Sequence, residues 1–159
     1  MDQITIADAG PLIALAKVDR LSILEHLFDE VIIPAAVHCE CLAKPGKDSH
    51  SIELALQAGI LRLVTHTMGV RPSKLPRSLG PGEQDSISLA LQHQNTLLII
   101  DDQLARRQAA KLNLSFIGTV RLLDIAERHG VIEDAEQTIK AMQNEGYRIS
   151  ADILDRIRR

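Results

Sequence analysis

Aromatic residues are nearly missing from this chain: Phe28, Phe116 and Tyr147 are the only ones among 159 residues, and there is no tryptophan. Any core must therefore be aliphatic, and a base-stacking platform for single-stranded nucleic acid, which needs exposed rings, is excluded. A basic excess is missing too. Eighteen Lys and Arg stand against 21 Asp and Glu, a net charge of −3, so global charge does not favour a polyanionic partner. That argument weakens if several acids converge on a divalent ion, which cancels their local charge. Cysteine is scarce, and Cys39 and Cys41 lie too close together for a disulfide framework. The longest apolar runs, such as residues 97–100, are far short of a membrane span. Residues 1–7 carry Asp2 and lack the basic region that opens a secretory signal. The expected setting is the cytosol, without a membrane.

What the chain does contain suits one domain with a sizeable core: 45 % of its residues are apolar and 25 % charged. We expect a single domain over 1–159, with a core over 1–129 and a helical appendage over 130–159. The short apolar run at 4–7 stops at Asp8 and reads as a strand. Ala9-Gly10-Pro11 turns the chain into a helix over 12–18, with Pro11 at the first helical position. Asp19 is placed to cap a second helix whose apolar face is Leu21, Ile23, Leu24, Leu27 and Phe28. A strand at 31–33 ends at Pro34, which opens a helix over 35–42. Lys44-Pro45-Gly46-Lys47 breaks the chain, a helix follows over 51–58, and Gly59 stops it.

Residues 60–64 read as a strand at a sheet edge. The stretch 66–81 is long and irregular, the kind of loop that is often functional. A helix begins at Gly82-Glu83, and the apolar run 96–100 is the best strand in the chain. Then come a helix over 103–112, a strand over 115–117, a helix capped by Thr119 and running to 129, and helices over 133–144 and from 151 onward. Strands separated by helices imply right-handed crossovers. The expected class is α/β, a three-layer doubly wound sheet of four to five mostly parallel strands with extra C-terminal helices.

In such a sheet, ligands bind beyond the carboxyl ends of the strands, where the strand order reverses. Asp8 and Asp101 stand at two strand ends, Glu40 lies on the helix after the second strand, and Glu83 opens the helix before the best strand. Four acids meeting in one crevice would repel, so at least one is expected to hold a proton in the absence of a counterion. An all-oxygen donor set suits Mg²⁺ or Mn²⁺ rather than zinc, and such an ion activates water for attack on phosphorus. Taken singly, an Asp after a strand is most often a helix cap, and a Glu in a first turn is favoured by the helix dipole.

The segments Asp8-Ala9-Gly10-Pro11-Leu12-Ile13-Ala14-Leu15-Ala16, Ile33-Pro34-Ala35-Ala36-Val37 with Glu40, Gly82-Glu83 with Ile87 and Ala90, and Leu98-Ile99-Ile100-Asp101-Asp102 together resemble PIN-domain proteins. The resemblance runs on through Phe116-Ile117-Gly118-Thr119 and Gly146-Tyr147-Arg148-Ile149-Ser150, and is closest to a bacterial and archaeal PIN-like branch. It implies a sheet ordered 3-2-1-4-5 and a Mg²⁺- or Mn²⁺-dependent ribonuclease. Such proteins are often the toxin half of a toxin–antitoxin pair similar to virulence-associated protein C, held by a small antitoxin protein and forming a homodimer. By motif position Asp8, Glu40, Glu83 and Asp101 match the family's four acids, with Asp85 and Asp102 as auxiliary ligands. The chain departs from the pattern at three places. Ala9-Gly10 stands where many relatives have Ser or Thr, Ile99-Ile100 where a Thr often precedes the last Asp, and Glu83 where Asp is usual.

Other features compete for attention. His38-Cys39-Glu40-Cys41 has zinc-ligand residue types, but residues two apart on a helix do not share a face. Arg71, Lys74 and Arg77 on the long loop, with Arg106, Arg107 and Lys111 after Asp101, are candidates for phosphate contacts; solvated surface charge is the plainer reading. Neither a Walker loop nor a dinucleotide fingerprint is present. A catalytically weak PIN-like module that binds nucleic acid or protein is the alternative, and a phosphatase-like or receiver-like domain is a third.

Overall fold

A computed structural model describes residues 3–65, 75–149 and 153. The element order is β1 (Ile4–Ala7), α1 (Ala9–Lys17), α2 (Ser22–Leu27), β2 (Val31–Pro34), α3 (Ala35–Leu42), α4 (Lys47–Gln57), β3 (Arg62–Val64), α5 (Pro81–Leu91), β4 (Thr96–Ile99), α6 (Gln103–Lys111), β5 (Ser115–Ile117), α7 (Thr119–Arg128) and α8 (Ala135–Asn144). Every strand pair is parallel, in the order β3-β2-β1-β4-β5. The α/β class and the strand order are those expected, and β3 does lie at an edge.

Successive strand residues point to opposite faces, and each face has its own aliphatic layer. Ala7, Ile33 and Ile99 join one cluster with Leu12, Leu15, Ile52, Leu122, Ile139 and Met142. Ile6, Ile32 and Leu98 join another with Ile87, Ala90, Ala105 and Ala109. This is why β4 lacks alternation: it is covered on both sides. Burial of each Leu, Ile or Met side chain among these contributes about 1.5–3 kcal/mol.

Several expected boundaries move. Helix α1 starts at Ala9, with Asp8 as its N-cap, so Pro11 sits third rather than first. A proline is tolerated there because the first four helical N–H groups have no intrahelical partner. Asp19 does not cap α2; Leu21 occupies that position. Asp19 instead takes a left-handed conformation (φ 56) after α1 and pairs with Lys47 at 2.8 Å. Helix α4 begins at Lys47, four residues early, because the Gly46 N–H donates to Ser49 Oγ at 2.9 Å and the Ser49 hydroxyl donates to the Gly46 carbonyl at 2.9 Å. Gly118, not Thr119, is the N-cap of α7. Helix α8 begins after Asp134, whose carboxylate accepts from the Gln137 N–H at 3.2 Å. The expected final helix and most of the 66–81 loop, with Arg71 and Lys74, lie outside the described residues.

The candidate acidic site at the switch point

The order 3-2-1-4-5 reverses between β1 and β4, and this gap carries the site. Ala7 pairs with Ile99, and the ladder runs one step further through the Asp8 N–H to the Ile99 carbonyl at 3.0 Å. Asp8 therefore stands at the carboxyl end of β1, and Asp101 follows β4 by two residues.

Asp8 is only 5 % exposed. Its Oδ1 is buried with no hydrogen-bond partner among the described residues, and its side chain makes no capping bond. Burial first, then the charges of Glu83, Glu40 and Asp101, push its pKa up to about 7; the Ala9 N–H opposes the rise. The structure thus brings all four expected acids into one electrostatic neighbourhood, and Asp8 is the one whose pKa is pushed up furthest.

Glu83 lies in the first turn of α5, and Glu40 reaches that turn from α3. One Glu40 oxygen accepts the Gly82 N–H at 3.0 Å, taking up one of the donors that a helix leaves open at its N-terminus. The pKa of Glu40 is raised by burial and by Glu83 against the pull of that bond. Gly80-Pro81-Gly82 forms the seat. A Cβ at Gly82 would lie 2.5 Å from Glu40 Oε1, and one at Gly80 would lie 2.5 Å from Glu83 Oε2. These glycines were legible as breakers but not as carboxylate seats.

Asp101 is held from two sides. Its Oδ1 accepts the Thr119 N–H at 2.8 Å, and its Oδ2 accepts the Thr119 hydroxyl at 2.7 Å and the Tyr147 phenol at 2.8 Å. Burial, then the Asp101 charge, hold the Tyr147 phenol well above its ordinary range, so it remains a donor. Thr119 and Tyr147 were missed as site residues. Both lay in the quoted segments, but no local signal tied them to Asp101.

Asp102 proves different from its neighbour. It is the exposed N-cap of α6, and its Oδ2 accepts the Ala105 N–H at 2.9 Å. The structure gives its carboxylate a capping role. Asp85 is half-buried two residues beyond Glu83, so the two do not share a helix face. Arg106 lies beside the site with its guanidinium 5.3 Å over the Phe116 ring, while Arg77, Arg107 and Lys111 are exposed. Cys41 is buried and Cys39 exposed. Burial, then Asp8, Glu40 and Asp48, push the Cys41 thiol up to about 12. His38 pairs with Glu53.

Among the described residues, no three His, Cys, Asp or Glu side chains form a ready-made cage for an ion. The expected four-acid ligand set is a shared neighbourhood, not an assembled coordination sphere. Glu40 is held by the Gly82 N–H, and Asp101 by Thr119 and Tyr147. The residues nevertheless fit a hard divalent cation. All four donors are carboxylates, and Asp8 offers a buried oxygen with nothing bound to it.

A family model described as a PIN domain matches residues 4–159. Comparison with individually curated proteins gives no match.

Proposed function

The chain belongs to the PIN-domain family, and on that premise we propose that it is a metal-dependent endoribonuclease with Mg²⁺ or Mn²⁺ as its ion. The observation that carries the reading is the buried, unpartnered Asp8 oxygen at the switch point, with Glu83, Glu40 and Asp101 close enough to raise its pKa. Asp8 and Asp101 would be the principal ligands, with Glu40 and Glu83 completing the set directly or through water. A bound ion would supply charge neutralisation and an activated water at the phosphodiester. Asp8 would give up its proton as the site loads, since an opposite charge favours the ionised carboxylate. Glu83 or Glu40 would accept the proton of the attacking water. Arg106 would face a phosphate flanking the cut, and Arg71, Lys74 and Arg77 would extend the path.

The resemblance of the motifs motivates the finer assignment: a cytosolic toxin, homodimeric, restrained by a small antitoxin. Among the described residues, no helix is long and apolar enough to cross a membrane. The test is cleavage of mixed RNA with and without Mg²⁺, by the native chain and by Asp8→Asn. Mg²⁺-dependent cleavage lost in Asp8→Asn supports the reading; equal cleavage by both proteins rejects it. Co-purification of a small protein encoded beside this chain would support the toxin assignment.

A second reading is a PIN-like binding module of low activity. The absence of an assembled ligand cage among the described residues and the net charge of −3 favour it. It requires RNA or protein binding that survives Asp8→Asn and Asp101→Asn together.

A further inference from the structure

We propose that Tyr147 is a positioning residue for the metal site, fixing the Asp101 carboxylate from the far end of the chain. The inference rests on the metal-dependent reading above. Its ground is geometric. Tyr147 donates to Asp101 Oδ2 at 2.8 Å across 46 residues of sequence.

The phenol is delivered by a defined helix ending. Helix α8 stops at Glu145, its C-cap. Gly146 takes φ +97, its N–H donates to the Gln143 carbonyl at 3.0 Å, and the Tyr147 N–H donates to the Met142 carbonyl at 3.0 Å. This pair of bonds is the Schellman ending, which reverses the chain and sets a contact between the residue after the glycine and the last helical turn. Met142 is fully buried in the core cluster and Tyr147 packs against that cluster. The helix ending therefore fixes the backbone that delivers the ring.

Tyr147 and Thr119 together engage three of the roughly four lone-pair sites of a carboxylate. Asp101 is left with one orientation and little spare capacity. Partners of ligating carboxylates set their direction, and removing such a partner typically costs about 10- to 100-fold in metal affinity. Tyr147 would act on the ion through Asp101 and would not touch it. The sequence reading makes residues 130–159 an appendage; on this inference Tyr147, from that stretch, completes the site.

The chain carries its own probe. Tyr147 is the sole tyrosine and there is no tryptophan, so intrinsic fluorescence excited at tyrosine wavelengths reports this phenol alone. Titration of the full-length native protein with Mg²⁺ is expected to give a saturable change in that emission, absent in Asp8→Asn. Calorimetric titration with Mn²⁺ is expected to show affinity lower by about 10-fold or more in Tyr147→Phe. Circular dichroism and melting checked alongside should show Tyr147→Phe folded. Native-like Mn²⁺ affinity in folded Tyr147→Phe would overturn the inference and leave the proposed nuclease standing. Saturable Mn²⁺ binding with no response of the phenol to Mg²⁺ would also overturn it. No Mn²⁺ binding by the native protein would overturn both.

Discussion

Glu40 and Gly82 meet across 42 residues of sequence, the carboxylate oxygen accepting the backbone N–H at 3.0 Å. The contact ties α3 to the first turn of α5, so an acid on one crossover is oriented by the helix start of another. A Cβ there would displace the carboxylate, since it would stand 2.5 Å from Glu40 Oε1 and 3.3 Å from Val37 Cγ2.

Gly82→Ala should therefore act on the site more than on the fold. The nearest obstacle is the far end of a flexible side chain, which can swing away, while Val37 gives by a few tenths of an ångström. We expect a loss of about 1 kcal/mol or less in chemical denaturation, within the ordinary range for single substitutions. Mg²⁺ requirement and cleavage should change by about tenfold, the typical effect of losing a contact that orients a ligand. Native Mg²⁺ dependence in the variant would show that the Glu40 seat is idle.

Asp8 makes stability depend on pH in an unusual direction for an aspartate. Its folded pKa is about 7 against an ordinary 3.8. The folded state keeps a proton that the unfolded chain has released, so this stabilisation is complete below pH 3.8 and is lost as pH rises through 7. The full swing is on the order of 4 kcal/mol. Asp8→Asn removes the titration, so its stability relative to the native protein should climb between pH 5 and pH 8 in metal-free buffer. Parallel urea-denaturation curves over that range would refute this account of Asp8.

The same linkage couples the ion to stability. Mg²⁺ at a hundredfold excess over its Kd should raise native stability by about 3 kcal/mol. The melting temperature of Asp8→Asn should not respond. The native increment should be larger at pH 8 than at pH 6, because binding at the lower pH must displace the Asp8 proton.

Asp101 and Asp102 are adjacent in sequence yet should fail differently. Asp102→Ala removes the N-cap of α6 and should cost about 1 kcal/mol of stability with cleavage unchanged. Asp101→Asn should abolish Mg²⁺-dependent cleavage. Activity assays and denaturation curves on the two variants decide this, and a cleavage defect in Asp102→Ala comparable to that of Asp101→Asn would restore Asp102 to the ligand set.

The two thiols offer a test of packing on α3. A thiol-specific chromogenic reagent should label Cys39 promptly in the native protein. Cys41 should react only on unfolding, because it is buried and its pKa is pushed up to about 12. Prompt labelling of both would mean that the α3 face is open.

The sequence by itself determined the element order, the strand order through its family resemblance, and the four acids, because these are written in local runs: Ile4–Ala7 before Asp8, Thr96–Ile99 before Asp101, Gly82-Glu83 at a helix start. The helix starts it misplaced, at Ala9, Ser22, Lys47 and Ala135, are short-range contests between capping bonds and turns that a propensity pattern does not resolve. What only the tertiary structure decided is which acid has its pKa pushed up furthest, and which donors aim the others. Burial of Asp8, the Gly82 N–H on Glu40, and the Thr119 and Tyr147 hydroxyls on Asp101 arise between segments 18 to 46 residues apart. Carboxylate energetics depend on desolvation and on donors within hydrogen-bond distance, and chain folding sets both after the local pattern is fixed.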